Sequence, residues 1–314
     1  MRTLISSLRA PIVGLATILL AACAGQHQLS APAELIQQRQ QAIANLAGPR
    51  YVYISDLYGN FVDEFDRSGN VAAKITSGIT GPVGLYVDVS HNLWVANALA
   101  GNVLMFAEGA TTSSRTLQDT GVPVDVTVGA DGTVYVANGL DANGPGSILV
   151  YPPGHNKASR LLQDPTMAQN NFITIDPKGN LFVTTSLSGL HQFVGRVDEY
   201  IGAKQGGLRN FNIRLGSPGG IKWRNGMIYV CDTLEHTVTE YTETGRPTGR
   251  KLVTGGAWDD IDLSSDGSTI LGADQAFNQG ITRNFPRGKI GATYADPLFQ
   301  SPSGAAFQTD EKGF

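Results

Sequence analysis

Residues 81–106 read GPVGLYVDVSHNLWVANALAGNVLMF. Three short apolar runs alternate here with polar or glycine-containing turns. The first run reaches the turn at His91-Asn92, the second is Leu93–Asn97, and the third ends at Phe106. Aromatic and β-branched runs separated by turn residues are typical of antiparallel strands. The segment therefore predicts consecutive strands joined by tight turns.

The second run of this segment recurs along the chain. Its copies are Tyr51–Asp56, Leu93–Asn97, Val134–Asn138, Leu181–Thr185, Ile228–Asp232 and Ile270–Asp274. The last residues of successive copies are 41, 41, 47, 47 and 42 positions apart. Periods of about 40–50 residues built from short strands indicate the blades of a β-propeller.

The other strands of a blade are found around each copy. Polar turns precede five of them, at His91-Asn92, Asp131-Gly132, Lys178-Gly179, Asn225-Gly226 and Asp266-Gly267. An inner strand lies before each turn, such as Asp125–Val128, and a third strand follows the copy, such as Asn102–Phe106. A more polar fourth strand comes last, as at Ala72–Ile75 or Ser114–Leu117. Each unit therefore predicts a four-stranded blade.

The number of blades follows from the two ends of the repeat region. The unit that begins at Tyr51 lacks an inner strand, because residues 31–48 before it have a helical pattern. The chain's end supplies an unpaired strand at Pro302–Gln308. Pairing of this strand with the first unit removes the open edge that an incomplete ring would leave. Residues 51–314 are therefore predicted to form one all-β, six-bladed propeller with its first blade closed by the C-terminal strand.

Residues 1–22 have the order of a secretory signal peptide: Arg2 and Arg9, then the apolar run 11–20, then small residues. They end in Leu-Ala-Ala before Cys23, which resembles a bacterial lipobox. That resemblance implies acylation of Cys23 and attachment to the cell envelope, and Ala24 after it favours the outer membrane. An ordinary signal with an incidental cysteine is the alternative. Residues 23–50 are interpreted as the lipidated cysteine and a tether ending in a short helix, or as a disordered spacer.

The amino-acid composition limits the classes of molecule that this protein is expected to bind. The formal net charge is −4, and the 23 Lys and Arg residues form no basic stripe, which argues against a nucleic-acid partner. No nucleophile-elbow, phosphate-loop or zinc-cluster motif occurs. We expect a monomer that meets the membrane through its lipid anchor and that binds a small molecule or a protein.

The residues that open the inner strands are the candidates for a site, because only inner strands approach the propeller axis. Repeat alignment gives Val83, Val124, Asn171, Gly219, Asp259 and Ser303 in the first position. One step further along are Gly84, Asp125, Phe172, Gly220, Asp260 and Gly304. The predicted ligand-binding set is Asp125, Asn170, Asn171, Trp258, Asp259 and Asp260. Three carboxylates near the axis suit Ca²⁺ or another hard divalent cation. Capping of strand starts beside a solvated channel is the purely structural alternative.

Two other positions are predicted to be structural. An Asp or Asn ends the second strand in five of six units: Asp56, Asn97, Asn138, Asp232 and Asp274. Short side chains of this type bond nearby backbone N–H groups and start the next loop. Cys231 takes the place that alanine occupies in two other units, which predicts a small buried residue.

The blades resemble NHL-repeat propellers and the related SMP-30 and gluconolactonase-like enzymes. The resemblance rests on a Pro-x-Gly strand start, an aromatic-Val-Ala-Asp/Asn strand and a Gly-x-Val strand that ends on an aromatic residue. In the enzymes a Glu, an Asn and an Asp on inner-strand starts hold a divalent metal. The resemblance matches Asn171 and Asp259 to two of these ligands, whereas Val83 and Ser303 stand where the glutamate is expected.

Two functional hypotheses follow. The first is a non-catalytic binding or interaction propeller displayed on a membrane by Cys23. The second is a metal-dependent lactonase or related hydrolase that uses Asp259, Asn171 and Asp125, with the metal-assisted chemistry that the family resemblance implies.

Overall fold

The alternating apolar runs form six antiparallel sheets of four strands in the computed structural model of the chain. The structure describes residues 50–141, 145–164, 166–187 and 194–308. The predicted signal peptide, Cys23 and the tether up to residue 49 lie outside the described residues. Helix in the described part is limited to three short 3₁₀ turns, Ala98–Ala100, Ile201–Ala203 and Gln205–Gly207. None of the described helices is long and apolar enough to cross a membrane.

The blades follow one another along the chain. Blade 1 contains β1 (Tyr51–Asp56), β2 (Phe61–Phe65) and β3 (Val71–Ile75). Blade 2 contains β4 (Pro82–Val87), β5 (Leu93–Asn97), β6 (Asn102–Phe106) and β7 (Arg115–Gln118), and blade 3 contains β8 (Gly121–Val128), β9 (Val134–Asp141), β10 (Ser147–Tyr151) and β11 (Arg160–Leu162). Blade 4 contains β12 (Met167–Ile175), β13 (Leu181–Leu187), β14 (Gly195–Tyr200) and β15 (Leu208–Leu215). Blade 5 contains β16 (Pro218–Arg224), β17 (Met227–Asp232), β18 (Thr237–Thr242) and β19 (Pro247–Val253), and blade 6 contains β20 (Trp258–Leu263), β21 (Thr269–Asp274), β22 (Gln279–Asn284) and β23 (Ile290–Tyr294).

The last strand, β24 (Pro302–Gln308), completes blade 1. It pairs antiparallel with β1, with Ile54 opposite Ala305 and Val52 opposite Phe307. The order from the axis outward is therefore β24, β1, β2 and β3. The predicted six-bladed ring and its closure by the C-terminal strand are confirmed. Consecutive inner strands contact each other around the whole ring, from β24 through β4, β8, β12, β16 and β20 back to β24.

The hairpins after the inner strands have the predicted turn chemistry. His91, Gly132, Gly179, Gly226 and Gly267 all have positive φ, between 63° and 82°. Glycine adopts this left-handed conformation without steric penalty, and it is uncommon for other residues. These turns reverse the chain between the first two strands of five blades.

The core lies between blades. Six clusters of buried apolar side chains fill the six junctions, one between each pair of neighbouring blades. At the junction of blades 5 and 6, Cys231 is fully buried among Tyr229, Val238 and Ile261, as predicted for a small core residue. Each sheet thus buries both of its faces against neighbours, which is how single sheets of four strands become stable.

The Asp and Asn residues that end the second strands of five blades bind the loops at the edge of their blade. Asp56 accepts backbone hydrogen bonds from Gly59 in the loop after its strand (2.6 Å) and from Gln300 before the inner strand (2.7 Å). Asp232 likewise accepts from Gly216 (2.7 Å). The structural role predicted for this position is confirmed.

Candidate functional site

A β-bulge interrupts every inner strand near its start. In blade 2, for example, Pro82 pairs with Asn97 and the next paired residue is Leu85, so Val83 and Gly84 have no partner. The register shifts at the corresponding place in the other five blades. Bulges redirect side chains and are frequent next to active sites. The positions selected by repeat alignment therefore lie at a repeated backbone irregularity around one mouth of the channel. We call this end the strand-start mouth, and the other end the strand-end mouth.

Asp125 lies deep in the channel wall. Its side chain is fully buried, and Oδ2 accepts a hydrogen bond from the backbone N–H of Ile173 in blade 4 (2.9 Å). The other oxygen, Oδ1, has no hydrogen-bond partner and lies over Gly84 of blade 2, where a Cβ atom would be 2.2 Å from it. Burial raises the pKa of Asp125 to about 6. Asp125 therefore contacts both neighbouring blades, but it forms a hydrogen bond only with blade 4.

Asp260 has the same role on blade 6. Its Oδ2 accepts from the backbone N–H of Ala305 in β24 (3.2 Å), and Oδ1 fits against Gly220, where a Cβ atom would be 2.6 Å away. Two residues along the strand, Asp262 accepts from the backbone N–H of Phe307 (2.8 Å). Burial raises the pKa of Asp260 well above its ordinary value.

A lysine provides the positive charge for these carboxyl groups. Lys222 on β16 is only 7% exposed, and the carboxylates that act on it are Asp260, Asp125 and Asp262. Burial opposes the charge of the ammonium, but the summed attraction of the carboxylates outweighs it and holds the pKa of Lys222 above its ordinary value.

Lys222 was not among the residues predicted from the sequence. The signal was its position between Ile221 and Trp223 in a strand that the repeat marks as an inner one. A charged residue is seldom buried unless it is paired, so a lysine there indicates nearby acidic groups.

The remaining predicted residues do not join this group. Asp259 is half-buried, accepts a hydrogen bond from Gln275 Nε2 (3.2 Å), and burial raises its pKa to about 7. Asn171 donates weakly through Nδ2 to Ser186 Oγ (3.3 Å) and to the carbonyl of Pro218 (3.4 Å).

Asn170 and Trp258 are both completely buried. The amide group of Asn170 has no hydrogen-bond partner at either atom. The Trp258 indole packs against Gly272 in the core between blades 5 and 6, so its ring faces other side chains and not the channel. The binding role predicted for the whole set remains a prediction.

The axial residues do not fit the divalent metal that the family resemblance implies. Asp125 and Asp260 already accept backbone hydrogen bonds, and the ammonium of Lys222 supplies the charge that a metal would bring. Across the described ranges, no three His, Cys, Asp or Glu side chains are grouped as metal ligands. We therefore derive no reaction step through a metal at this position.

Side chains also connect every pair of neighbouring blades near the axis. Each bond joins a side chain of one blade to the inner-strand backbone of the next. In order around the ring they are Ser55 Oγ to Val83 O (2.5 Å), Tyr86 OH to Val128 O (3.4 Å), Ile173 N to Asp125 Oδ2 (2.9 Å), Thr184 Oγ1 to Gly219 O (2.8 Å), Thr233 Oγ1 to Trp258 O (2.8 Å) and Phe307 N to Asp262 Oδ2 (2.8 Å). Asp125 and Asp262 thus have a structural role in addition to any contact with a ligand.

A cavity of about 100 Å³ opens on the opposite side, at the strand-end mouth. The inner strands line it with their last residues, and Lys222 forms part of its wall. Other polar and aromatic lining residues are Tyr86, Asp88, His91, Thr127, Thr174, Trp223, Arg224 and Asp262. Leu85, Val87, Val89, Ile175, Leu263 and Phe307 make up the apolar part of the wall. This cavity was not predicted from the sequence, because the candidate residues were all at the starts of the inner strands.

Comparison with known proteins gives the fold and no more. No sequence family matches the chain, and no curated protein matches it. Among solved structures, a nidogen/laminin complex superposes with a TM-score of 0.64 at 15% identity, covering 82% of this chain and 98% of that one. Hydrazine synthase of Kuenenia stuttgartiensis gives 0.61 at 16% identity, covering 84% and 90%.

A third solved structure superposes over less of this chain. Regucalcin of Agrobacterium tumefaciens, described as a calcium-binding protein, gives a TM-score of 0.54 at 16% identity, covering 70% of this chain and 75% of that one. Identities this low show a shared architecture, and one propeller fold supports unrelated activities. The chain is therefore a six-bladed β-propeller similar in fold both to regucalcin and to the nidogen/laminin type of propeller.

Proposed function

We propose that this protein is an exported propeller that is held on the cell envelope by an acylated Cys23 and that binds its partner without catalysing a reaction. The membrane part of the proposal rests on the sequence Leu20-Ala21-Ala22-Cys23 after a short apolar run. Several acyl chains on one residue provide stable anchoring, whereas a single chain gives only reversible binding.

The observation that supports binding over catalysis is the position of Lys222 among the axial carboxyl groups. Metal-assisted hydrolysis needs open coordination positions and unengaged oxygen ligands. Here Asp125 and Asp260 are engaged by backbone N–H groups, and an internal cation balances them. Such groups stabilise a channel wall and leave a charged, partly apolar cavity at its end.

The metal-dependent lactonase is the second candidate. It is favoured by the fold shared with regucalcin and by the pKa of Asp259, which burial raises to about 7. Perturbed carboxyl groups near a channel mouth are recognised markers of functional sites. In this reading Asp259 and Asn171 would hold the metal at the strand-start mouth.

One experiment separates the two candidates. The full-length protein is titrated calorimetrically with Ca²⁺, Mg²⁺, Mn²⁺ and Zn²⁺, and its opening of a simple aldonolactone is followed with each. We expect no saturable heat, no shift of the melting temperature and no lactone turnover. Saturable metal binding with turnover, both abolished in the Asp259→Ala/Asp260→Ala variant, would overturn the proposal in favour of the enzyme.

A further inference from the structure

We propose that the strand-start side of blades 5, 6, 1 and 2 is a docking surface for a second protein, whose docking segment carries large apolar side chains beside a lysine or an arginine. The inference rests on the proposed binding function and names the class of partner. We call this surface the apolar arc. It consists of five exposed side chains on segments around the strand-start mouth: Leu234, Phe277, Leu298, Tyr58 and Leu99.

Four of the five side chains come from one repeated position. Each second strand runs antiparallel to the inner strand of its blade, so the loop after it lies at the strand-start mouth. Tyr58, Leu99 and Leu234 each lie two residues after the Asp or Asn that ends the second strand, and Phe277 lies three residues after it. Leu298 precedes the inner strand β24.

These side chains are exposed to an unusual degree for their size. Between 58% and 67% of the surface of each side chain of the arc is exposed. A single exposed apolar residue is ordinary on a protein surface, whereas a set of them in four successive blades, around the mouth of a channel, is typical of an interaction site.

The loops that carry the arc are held in place by the same hydrogen bond in all four blades. The residue after each terminal Asp or Asn donates its backbone N–H to the carbonyl just before the inner strand, over 2.9–3.0 Å. These bonds are Leu57 to Ser301, Ala98 to Gly81, Thr233 to Ser217 and Gln275 to Ala257. A loop that is already ordered loses little conformational entropy when a partner binds, so burial of its apolar side chains gives more net affinity.

Acidic groups lie beside the arc without a cation. Asp259 accepts a hydrogen bond from Gln275 Nε2 (3.2 Å), in the loop that carries Phe277. Burial raises the pKa of Asp259 to about 7, and no cationic side chain of the described residues offsets that rise. Glu235 is exposed next to Leu234 and forms no ion pair within the described part of the chain.

The arc itself cannot supply the missing positive charge. The five segments that carry it, 57–60, 98–101, 233–236, 275–278 and 295–301, contain no lysine or arginine. Lys74 reaches the segment of Leu298, but it is already paired with Asp296 (3.0 Å) and Asp63 (2.6 Å). The surface thus offers apolar contacts and carboxyl groups, and its complement is a segment that brings apolar side chains together with a cation.

Two other occupants of the arc match these features less well. A second copy of the chain that presented the same face would bring carboxyl groups against carboxyl groups and no cation. The polypeptide that leads to Cys23 joins the propeller at Arg50, whose backbone N–H donates to the carbonyl of Gln308 at the end of β24 (2.7 Å). An anchor through Cys23 is therefore attached on the strand-end side, which favours a protein over the membrane as the occupant of the arc.

The test is a selection from random dodecapeptides displayed on phage. The bait is the full chain with Cys23→Ser, so that no detergent covers the arc. We expect the enriched peptides to contain at least two large apolar residues and a lysine or arginine. Fluorescence anisotropy of one synthetic peptide from this set then measures affinity, and Leu234→Ser/Phe277→Ser in the bait should weaken its binding about tenfold or more.

A matched control removes apolar side chains from the other side of the propeller. Ile201 and Ile290 are 48% and 53% exposed and lie close to the ends of third strands, which run in the same direction as the inner strands. Ile201→Ser/Ile290→Ser should bind the peptide like the parent chain. Asp259→Asn tests the charge separately, because it should weaken a lysine-containing peptide and leave the analogue with norleucine in place of lysine unchanged.

Several results would overturn the inference. Melting temperatures are measured for every variant, and Tyr58→Ser provides a second, independent change in the arc. No enriched peptide, enrichment of acidic peptides, or equal binding by the parent and by both folded arc variants would each contradict the proposed partner. Sedimentation that shows a dimer lost in the arc variants would assign the arc to a second copy, and binding of the Cys23→Ser chain to phosphatidylcholine vesicles lost in the same variants would assign it to lipid. Failure of the proposed function would appear instead as metal-dependent lactone turnover in the separate assay.

Discussion

The carboxylate of Asp262 in blade 6 accepts a hydrogen bond from the backbone N–H of Phe307 in the C-terminal strand, 2.8 Å away. The bond joins the last complete blade to the strand that closes the first one. Together with the pairing of β24 and β1, it ties the ring at its point of closure.

Removal of residues 301–314 is therefore expected to abolish cooperative unfolding and to cause aggregation. The deletion leaves β1 without its inner partner and exposes apolar surface of two blades. A chain that ends at Gln308 is the matched control, because it retains the whole of β24. Melting is followed by circular dichroism, and a protein lacking 301–314 that melts like the control would disprove the closing role of this strand.

Gly84→Ala should destabilise the protein by about 1–3 kcal/mol or more. A Cβ atom at this position would lie 2.2 Å from Asp125 Oδ1 and 2.7 Å from the backbone carbonyl of Val124, so both the carboxylate and the chain must move. Gly206→Ala is the control, because nothing lies within 4 Å of its added Cβ. Urea denaturation of both variants measures the difference, and equal stabilities would show that Asp125 does not need the space over Gly84.

The raised pKa of Asp259 predicts that the stability of the protein decreases as the pH rises. Its pKa is raised from 3.8 to about 7 by burial, so the folded state holds a proton that the unfolded state has already lost. Ionisation of the half-buried Asp259 destabilises the folded state. This destabilisation is absent below about pH 4, grows between about pH 4 and pH 7, and is complete above about pH 7.

Asp259→Asn should therefore match the wild type near pH 4 and be more stable by about 2–4 kcal/mol at pH 8. Asp66→Asn is a control whose effect on stability should have the opposite sign. The backbone N–H of Asn70 and other local hydrogen bonds hold the pKa of the exposed Asp66 below its ordinary value. That control should be slightly less stable than the wild type at every pH from 5 to 8. Chemical denaturation across this range decides, and a constant difference between Asp259→Asn and wild type would refute the assignment.

Cys23→Ser should move the protein from the detergent phase to the aqueous phase of a detergent partition. The change removes the only acylation site that the signal sequence offers, and with it the apolar chains that hold the protein in detergent. Cys231→Ser should partition like the wild type, because Cys231 is a buried core residue. Aqueous recovery of the wild type itself would count against the lipid anchor.

The repeat made it possible to predict the blades and the carboxyl groups near the axis, whereas the bulges and Lys222 were not predicted. Strand order, hairpin turns and the closing strand all depend on local patterns and on the need to pair every edge, and residues such as Gly132 and Asp56 carry those patterns in the sequence. The bulge that separates Val83 from its expected partner has no such signature, because it is a backbone irregularity set by packing around the axis.

Electrostatic interactions between residues of different blades were even harder to predict from the sequence. The proximity of Lys222 to Asp125 depends on how strands from blades 3 and 5 converge, which the repeat alignment does not give. Repeat alignment also placed Trp258 with the channel residues, but Gly272 on the neighbouring strand provides space for the indole in the core. Alignment of repeats identifies equivalent backbone positions. The orientation of the side chain at each position also depends on the size of the neighbouring residues.

Closure by the last strand also has a consequence for the order in which the chain is made. Tyr53 donates a buried hydrogen bond to Gln308, 255 residues later and 2.9 Å away. A ribosome therefore synthesises nearly the whole chain before the first blade can obtain its inner strand. During that time β1 presents an unpaired edge and an uncovered apolar face, which are the features that make nascent chains prone to mispairing. The first blade can therefore be completed only after the other five blades have been synthesised.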